Sequence, residues 1–214
     1  MKRKKPKDKR CKECKQLFTQ TYSTTQVVCS ALCGSKQAKK VTEKAINKKA
    51  TERRKETLEM KKAAKGLPEY KKDLERQINT IIRLIDAGNG CVSCGGHTTP
   101  QAGHYHSVNA NGTIRYHLDN IHLQDYNCNC ERGGNLHKYD IGLINRYGET
   151  YWNYVKFGLT ARYPTIKLQV FEIKEAITVA SAIVKELKKE NKIYNSEERL
   201  KLRAKYNRTI NLYL

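Results

Sequence analysis

Eight cysteines, arranged in close pairs, constrain this chain more than any other feature of its sequence. Cys11-x2-Cys14 is followed, after fourteen intervening residues, by Cys29-x3-Cys33. Phe18, Tyr22, Val27 and Val28 can form only a very small core around them, so a bound metal would have to supply much of the folding energy. Four soft thiolates suit tetrahedral zinc, with a tight turn after the first pair and a helix start at the second bringing them together. Iron–sulfur ligation would also use four thiolates, but nothing else in the sequence favours it. With no apolar stretch behind the basic start MKRKKPKDKR, no secretory signal is expected. The cysteines then read as reduced ligands in a cytoplasmic protein rather than as disulfides.

Charge narrows the partner. The 214 residues carry a formal net charge of +21, which makes a polyanion the leading expectation. Residues 1–65 hold 21 basic and 6 acidic side chains, and so most of that excess. By contrast, the stretch from Cys91 to His137 has only Arg115 and Arg132 against Asp119, Asp125 and Glu131, yet contains all six histidines. A basic arm for phosphates followed by a segment rich in ligand and base side chains is the layout of a protein that binds nucleic acid and then acts on it. Lys39, Lys40, Arg53 and Arg54 in the arm, and Arg115 and Arg132 in the neutral segment, are the candidate DNA contacts. No apolar run is long enough to cross a membrane.

Four segments are expected: 1–34, a basic tail with the four-cysteine unit; 35–87, basic and amphipathic helices; 88–143, short strands and turns; and 144–214, mainly helical. Gly66, Leu67 and Pro68 should interrupt the second segment. Before them the helix has only a thin apolar face of Val41, Ala45, Ile46 and Leu58, fit for a phosphate backbone or for a plain charged linker. After them Leu74, Ile78, Ile81, Ile82 and Ile85 recur at helical spacing and should pack on the third segment, with Gly88 as the stop. A second amphipathic helix is expected over 173–191, and a third near 196–207 with Ser196 as its cap. Tyr139, Tyr147, Tyr151, Trp152, Tyr154 and Phe157 could stack on exposed bases or pack against the core, and packing is the preferred reading.

The neutral segment opens with Cys91-x2-Cys94 and Gly95-Gly96 and closes with LQDYNCNCERGGNLH, where Cys128 and Cys130 lie awkwardly close for joint tetrahedral ligation. Between them come Ala102-Gly103-His104-Tyr105-His106 and Arg115-Tyr116-His117-Leu118-Asp119-Asn120-Ile121-His122. On strands, His104 with His106 and Asn120 with His122 would each share a face. Polar side chains so placed are costly to bury unless they hold something. CVSCGG, AGHYHS, RYHLDNIHLQ, Cys128-Asn129 and Gly134-Asn135 followed by KYDIGLINRYG, together with the first cysteine unit and its lysine-rich helix, resemble the phage NinG family of Rap-like recombination endonucleases, related to the HNH nucleases. The resemblance runs from about Cys11 to Gly148.

That resemblance implies an α+β chain: a treble-clef-like zinc unit, a basic helical linker, an HNH (ββα-metal) nuclease core with a zinc knuckle, and a helical C-terminal region. It implies a divalent-metal-dependent DNA endonuclease acting on D-loops and Holliday junctions. In it His104 would be the base that activates water, Asn120 would orient that base, Asn129 would hold the hydrolytic ion, Asn135 would match the Gly-Asn dipeptide, and His106 and His122 would belong to the same catalytic cluster. The expected cofactors are structural zinc at one or two sites and catalytic magnesium or manganese. The second zinc site departs from the family, which has a cysteine where this chain has Asp125. Either Asp125 joins Cys91, Cys94 and Cys128, or Cys130 swings in as the fourth thiolate, or the zinc is weakened or absent. Two symmetric cuts would call for a homodimer. The competing reading is a non-catalytic, zinc-stabilised DNA-binding accessory protein.

Overall fold

The computed structural model describes residues 8–163 and 167–213, the side chain at position 62 excepted. The first seven residues of the expected basic tail therefore lie outside the described part. The architecture is α+β, with long helices and two small two-stranded sheets. It divides into two compact units, Met1–Lys65 and Gly66–Leu214, at the interruption marked by Gly66 and Pro68. The helix over 67–85, grouped by sequence with the basic helix before it, thus folds with the residues after it.

In the first unit, β1 (Asp8–Arg10) and β2 (Leu17–Thr19) pair antiparallel, and α1 runs over Ala31–Ala63. Lys15, at φ 61°, closes the tight turn between the strands, where Lys15 N–H donates to the Cys11 carbonyl at 3.0 Å. The α1 side chains Val41, Ile46 and Leu58 stay exposed, in keeping with a helix whose apolar face is too thin to form a core.

The second unit is built around α2 (Leu67–Ile85), whose buried positions are the five apolar residues expected from their spacing. The strands β3 (Pro100–His104) and β4 (Ile121–Asp125) form an antiparallel hairpin in which Gly103 faces His122 and His104 faces Ile121. A π-helical turn, Asn127–Glu131, follows β4, and then come α3 (Leu136–Tyr147), α4 (Glu149–Asn153), a second π-helical turn (Tyr154–Gly158) and α5 (Leu159–Arg162). One face of the hairpin, with Ile121 and Leu123, joins the core built on α2; the other, with His122, meets tyrosines of α3 and α4.

Beyond these, α6 (Val170–Glu190) buries Ile173, Ala176, Ala180, Ile183, Val184 and Leu187. The expected cap of α7 (Ser196–Ile210) moves by one residue: the Asn195 side chain accepts from Glu198 N–H at 2.9 Å, and the Glu198 carboxylate accepts in turn from Asn195 N–H. This helix is the unexpected part of the core. Arg203 is fully buried; its guanidinium donates to the Leu118 and Ile121 carbonyls and to Asp86 Oδ2 at 2.8 Å. Asp86 Oδ2 also accepts from Leu123 N–H, and Asn207 Oδ1 from Leu118 N–H at 2.9 Å. A charge this deep is tolerated because every one of these partners is itself held in place.

Candidate functional site

The four thiol sulfurs of Cys11, Cys14, Cys29 and Cys33 lie within 4.8 Å of one another. Cys11 and Cys14 come from the turn between β1 and β2, and Cys33 from the first turn of α1. Burial opposes ionisation of Cys11, but backbone N–H groups of Cys14, Cys29 and Glu13 point at its sulfur and bring its pKa down to about 6. Cys29 is pushed the other way, to about 12, chiefly by the neighbouring thiols of Cys14 and Cys33. Crowding thus keeps Cys29 protonated beside the readily ionised Cys11; a divalent cation at the centre would favour thiolates throughout, and the all-sulfur donor set could hold zinc.

A second group gathers Cys91, Cys94 and Cys128, again within 4.8 Å. The Cys91 N–H donates to the Gly96 carbonyl at 2.7 Å and the Gly95 N–H to the Cys91 carbonyl at 2.8 Å, folding the knuckle tightly, with Gly95 at φ 75°. Burial works against the Cys91 thiolate, yet backbone N–H groups of Asp125, Cys94 and Ser93 lower its pKa overall. Burial, with the thiols of Cys91 and Cys128 beside it, raises Cys94 to about 11. Neither candidate for the fourth position has a ligand atom within 4.8 Å of all three sulfurs, but the two are placed differently. Asp125 Oδ2 lies 3.7 Å from Cys94 Sγ, in a space left by Gly96, where a Cβ would sit 2.3 Å from that oxygen. Cys130 instead lies exposed, with its sulfur 3.4 Å from Gln101 Oε1. Three thiolates with an adjacent carboxylate are a donor set that zinc accepts.

Asn135, in the left-handed conformation at the start of α3, points its side-chain N–H at Cys128 Sγ, 3.4 Å away. The Gly-Asn dipeptide is therefore tied to the thiolate cluster. Asn129 donates to Gln101 Oε1 at 2.8 Å, so Gln101 receives both Asn129 and Cys130. Sequence reasoning misses Gln101, whose one signal is a position two residues before Gly103 on the same strand face.

On β3, His104 is half-buried and its Nε2 lies 2.9 Å from the Arg115 carbonyl. A carbonyl only accepts, so Nε2 carries the proton, and in the neutral ring Nδ1 is the lone pair. Burial, as the largest influence, lowers the His104 pKa and favours that neutral ring. Asn120 is buried and brackets the neighbouring chain: its Oδ1 accepts from His106 N–H at 2.8 Å, and its Nδ2 donates to the His106 and Ile114 carbonyls. The His106 ring is tethered by Nε2 to the Val155 carbonyl at 2.9 Å.

Two expected site residues are placed differently. His122 is sealed in the core, its nitrogens 2.9 Å from the Tyr139 hydroxyl and 3.2 Å from that of Tyr151, and burial lowers its pKa well below normal. Its role is to tie the hairpin to α3 and α4, with both ring nitrogens engaged by tyrosines. Asn129 and His104 belong to opposite faces of the hairpin, since Asn129 bonds Gln101 and side chains alternate along β3. Among the described residues, only the two cysteine groups bring together three or more Cys, His or acidic side chains as metal ligands. The residues expected to hold magnesium or manganese do not converge: Asn129 is turned to Gln101, on the face opposite His104. Arg115 is paired with Glu75 at 2.7 Å and Lys40 with Glu13 at 2.5 Å, while Lys39, Arg53, Arg54 and Arg132 are exposed.

The fold and site thus define an α+β chain with two cysteine clusters able to hold zinc and two half-buried histidines, His104 and His106, each with Nε2 fixed on a backbone carbonyl. It matches the family described as Bacteriophage Lambda NinG protein over residues 3–190, and the chain belongs to that family. It is 35% identical over 167 residues to Protein ninG of Escherichia phage lambda, covering 68% of this chain and 78% of the relative. Protein ninG of Salmonella phage P22 is 35% identical over 162 residues, covering 65% and 76%. The corresponding protein of Escherichia phage 933W is 34% identical over 165 residues, covering 68% and 78%. No solved structure matches. Among the described residues, no helix is long and apolar enough to cross a membrane.

Proposed function

We propose that this protein is a DNA endonuclease that hydrolyses phosphodiester bonds in branched recombination intermediates, D-loops and Holliday junctions, in the presence of magnesium or manganese. The observation that carries the proposal is His104: a half-buried imidazole with Nε2 fixed on a backbone carbonyl and Nδ1 left as the base. Asn120 supports it by clamping the backbone around His106, so the turn that carries the imidazole cannot drift. The basic first unit supplies phosphate affinity without chemistry. His104→Ala should lower single-turnover cleavage of a four-way junction by about 10²- to 10⁴-fold, the worth of a general base. Junction affinity and zinc content should stay near wild type. A variant that cleaves at the wild-type rate would remove His104 from the role and make His106 the next candidate.

The second reading, a zinc-stabilised DNA-binding accessory protein without catalysis, is favoured by Asn129, whose amide is engaged by Gln101 rather than turned toward His104. Wild type that binds junctions but cleaves none with any divalent ion would establish it.

A further inference from the structure

Next to the His106 loop, the second π-helical turn presents an aromatic patch with no role in the chemistry above. His106 is anchored on the carbonyl of Val155, and two residues on, Phe157 is 60% exposed. π-Helical turns push a side chain out of register with the rest of a helix. Here Gly158 lies close against the Tyr154 ring, where a Cβ would sit 2.9 Å away; Tyr154 packs against the core and Phe157 is left outside. Trp152 stands edge-on to Phe157 with ring centres 6.4 Å apart, and Lys156 Nζ lies 4.7 Å from the Trp152 ring centre and 5.6 Å from that of Phe157.

The patch is built rather than incidental. Asp140 accepts from the Tyr105 hydroxyl at 2.5 Å, from Trp152 Nε1 at 2.7 Å and from Lys156 Nζ at 3.3 Å. One carboxylate therefore fixes the indole and the ammonium at once, and ties both to Tyr105, which directly follows His104. Locking these side chains in the free protein removes an ordering cost from any binding event.

We infer that Phe157, framed by Trp152 and Lys156, is a stacking platform for an unpaired nucleobase of DNA, placed beside the His104–His106 turn. The inference rests on the DNA-binding half of the proposed function and not on cleavage. Charge selects the occupant. The chain carries +21, and its lysine-rich first unit is the part suited to phosphates, whereas at this patch the Lys156 ammonium is paired with Asp140. A locally neutral aromatic surface on a strongly basic chain matches the face of a base, and every base has a π-face to offer. Paired bases in a duplex keep those faces covered, so the platform would add affinity only where DNA is gapped or branched.

The test uses the full chain in a His104→Ala background, so that cleavage cannot blur binding. Two probes are compared: a linear duplex, and the same duplex with a short single-stranded gap carrying 5-iododeoxyuridine for photocrosslinking. Phe157→Ala should weaken gapped-DNA binding about 5- to 150-fold, the range for losing one base–aromatic stack, and leave duplex binding unchanged. Phe157→Tyr should restore the preference. The crosslink should map to Phe157 by mass spectrometry. Equal loss on both probes would make Phe157 a backbone contact and overturn the inference. Unchanged binding with crosslinks elsewhere would also overturn it and leave the patch to a protein partner. Gap preference through Phe157 in a protein whose wild type never cleaves would refute the endonuclease reading alone; cleavage by wild type without a Phe157 effect would refute the platform alone.

Discussion

Gly103→Ala is expected to damage the second unit far more than an exposed Gly→Ala change would, and the reason lies across the strand. A Cβ at position 103 would sit 1.9 Å from Gln124 Oε1, 2.7 Å from its Cδ and 3.0 Å from its Cγ. Gln124 cannot step aside freely. It is fully buried, and its Nε2 donates to Ser93 Oγ and to the Gly134 carbonyl, both at 2.7 Å, joining the cysteine knuckle to the turn before α3. Overpacking a tight site costs about 1–3 kcal/mol, and two lost hydrogen bonds cost about 1 kcal/mol each. The sum is roughly 3–5 kcal/mol, and at about 2–4 °C per kcal/mol for a unit of this size, the melting temperature should fall by roughly 6–20 °C. Thermal unfolding followed by circular dichroism measures it. The double variant Gly103→Ala with Gln124→Ala should recover the overpacking share alone, about 1–3 kcal/mol, because Ser93 and Gly134 still lack their donor. A single variant that melts as wild type does would refute the claim that Gly103 leaves the space Gln124 needs.

The zinc knuckle and the buried histidines each carry a further expectation. Asp125→Ala should lower zinc content by elemental analysis or speed zinc loss to a chelator, while Cys130→Ser should retain zinc; the opposite pattern would return the fourth position to Cys130. His104, His117 and His122 all have pKa values lowered by burial below the ordinary 6.5. The unfolded chain therefore binds more protons than the folded one just below pH 6.5, and stability that is present above this value should drain away as the pH falls through it. Melting temperatures from pH 8 to pH 5 that stay flat would contradict the burial of these rings.

Much of this was legible in the sequence because it depends on local spacing. The close pairs of cysteines marked both clusters, and the positions of Leu74, Ile78, Ile81, Ile82 and Ile85 marked the buried face of α2. Spacing could not reveal pairing at a distance. His122 reads as an active-site residue until Tyr139 and Tyr151 close over it from 17 and 29 residues away. The choice between Asp125 and Cys130 turns on the direction of a π-helical turn, which has no sequence signature of its own. Trp152 and Phe157 look like core residues by composition, and only the second π-helical turn decides that Phe157 stays outside.

The anchoring of the hairpin by Arg203 also sets the order in which the protein can be finished. The carbonyls of Leu118 and Ile121 are gripped by a residue 85 and 82 positions downstream, and Asp86 by one 117 positions downstream. A chain emerging from the ribosome at about 5–20 residues per second has the hairpin in hand several seconds before it has α7. Throughout that interval Asp86 is a carboxylate without its guanidinium and the turn carrying Asn120 has no anchor on its carbonyl side. Nascent chains should thus acquire the first cysteine cluster early and the ordered histidine turn late.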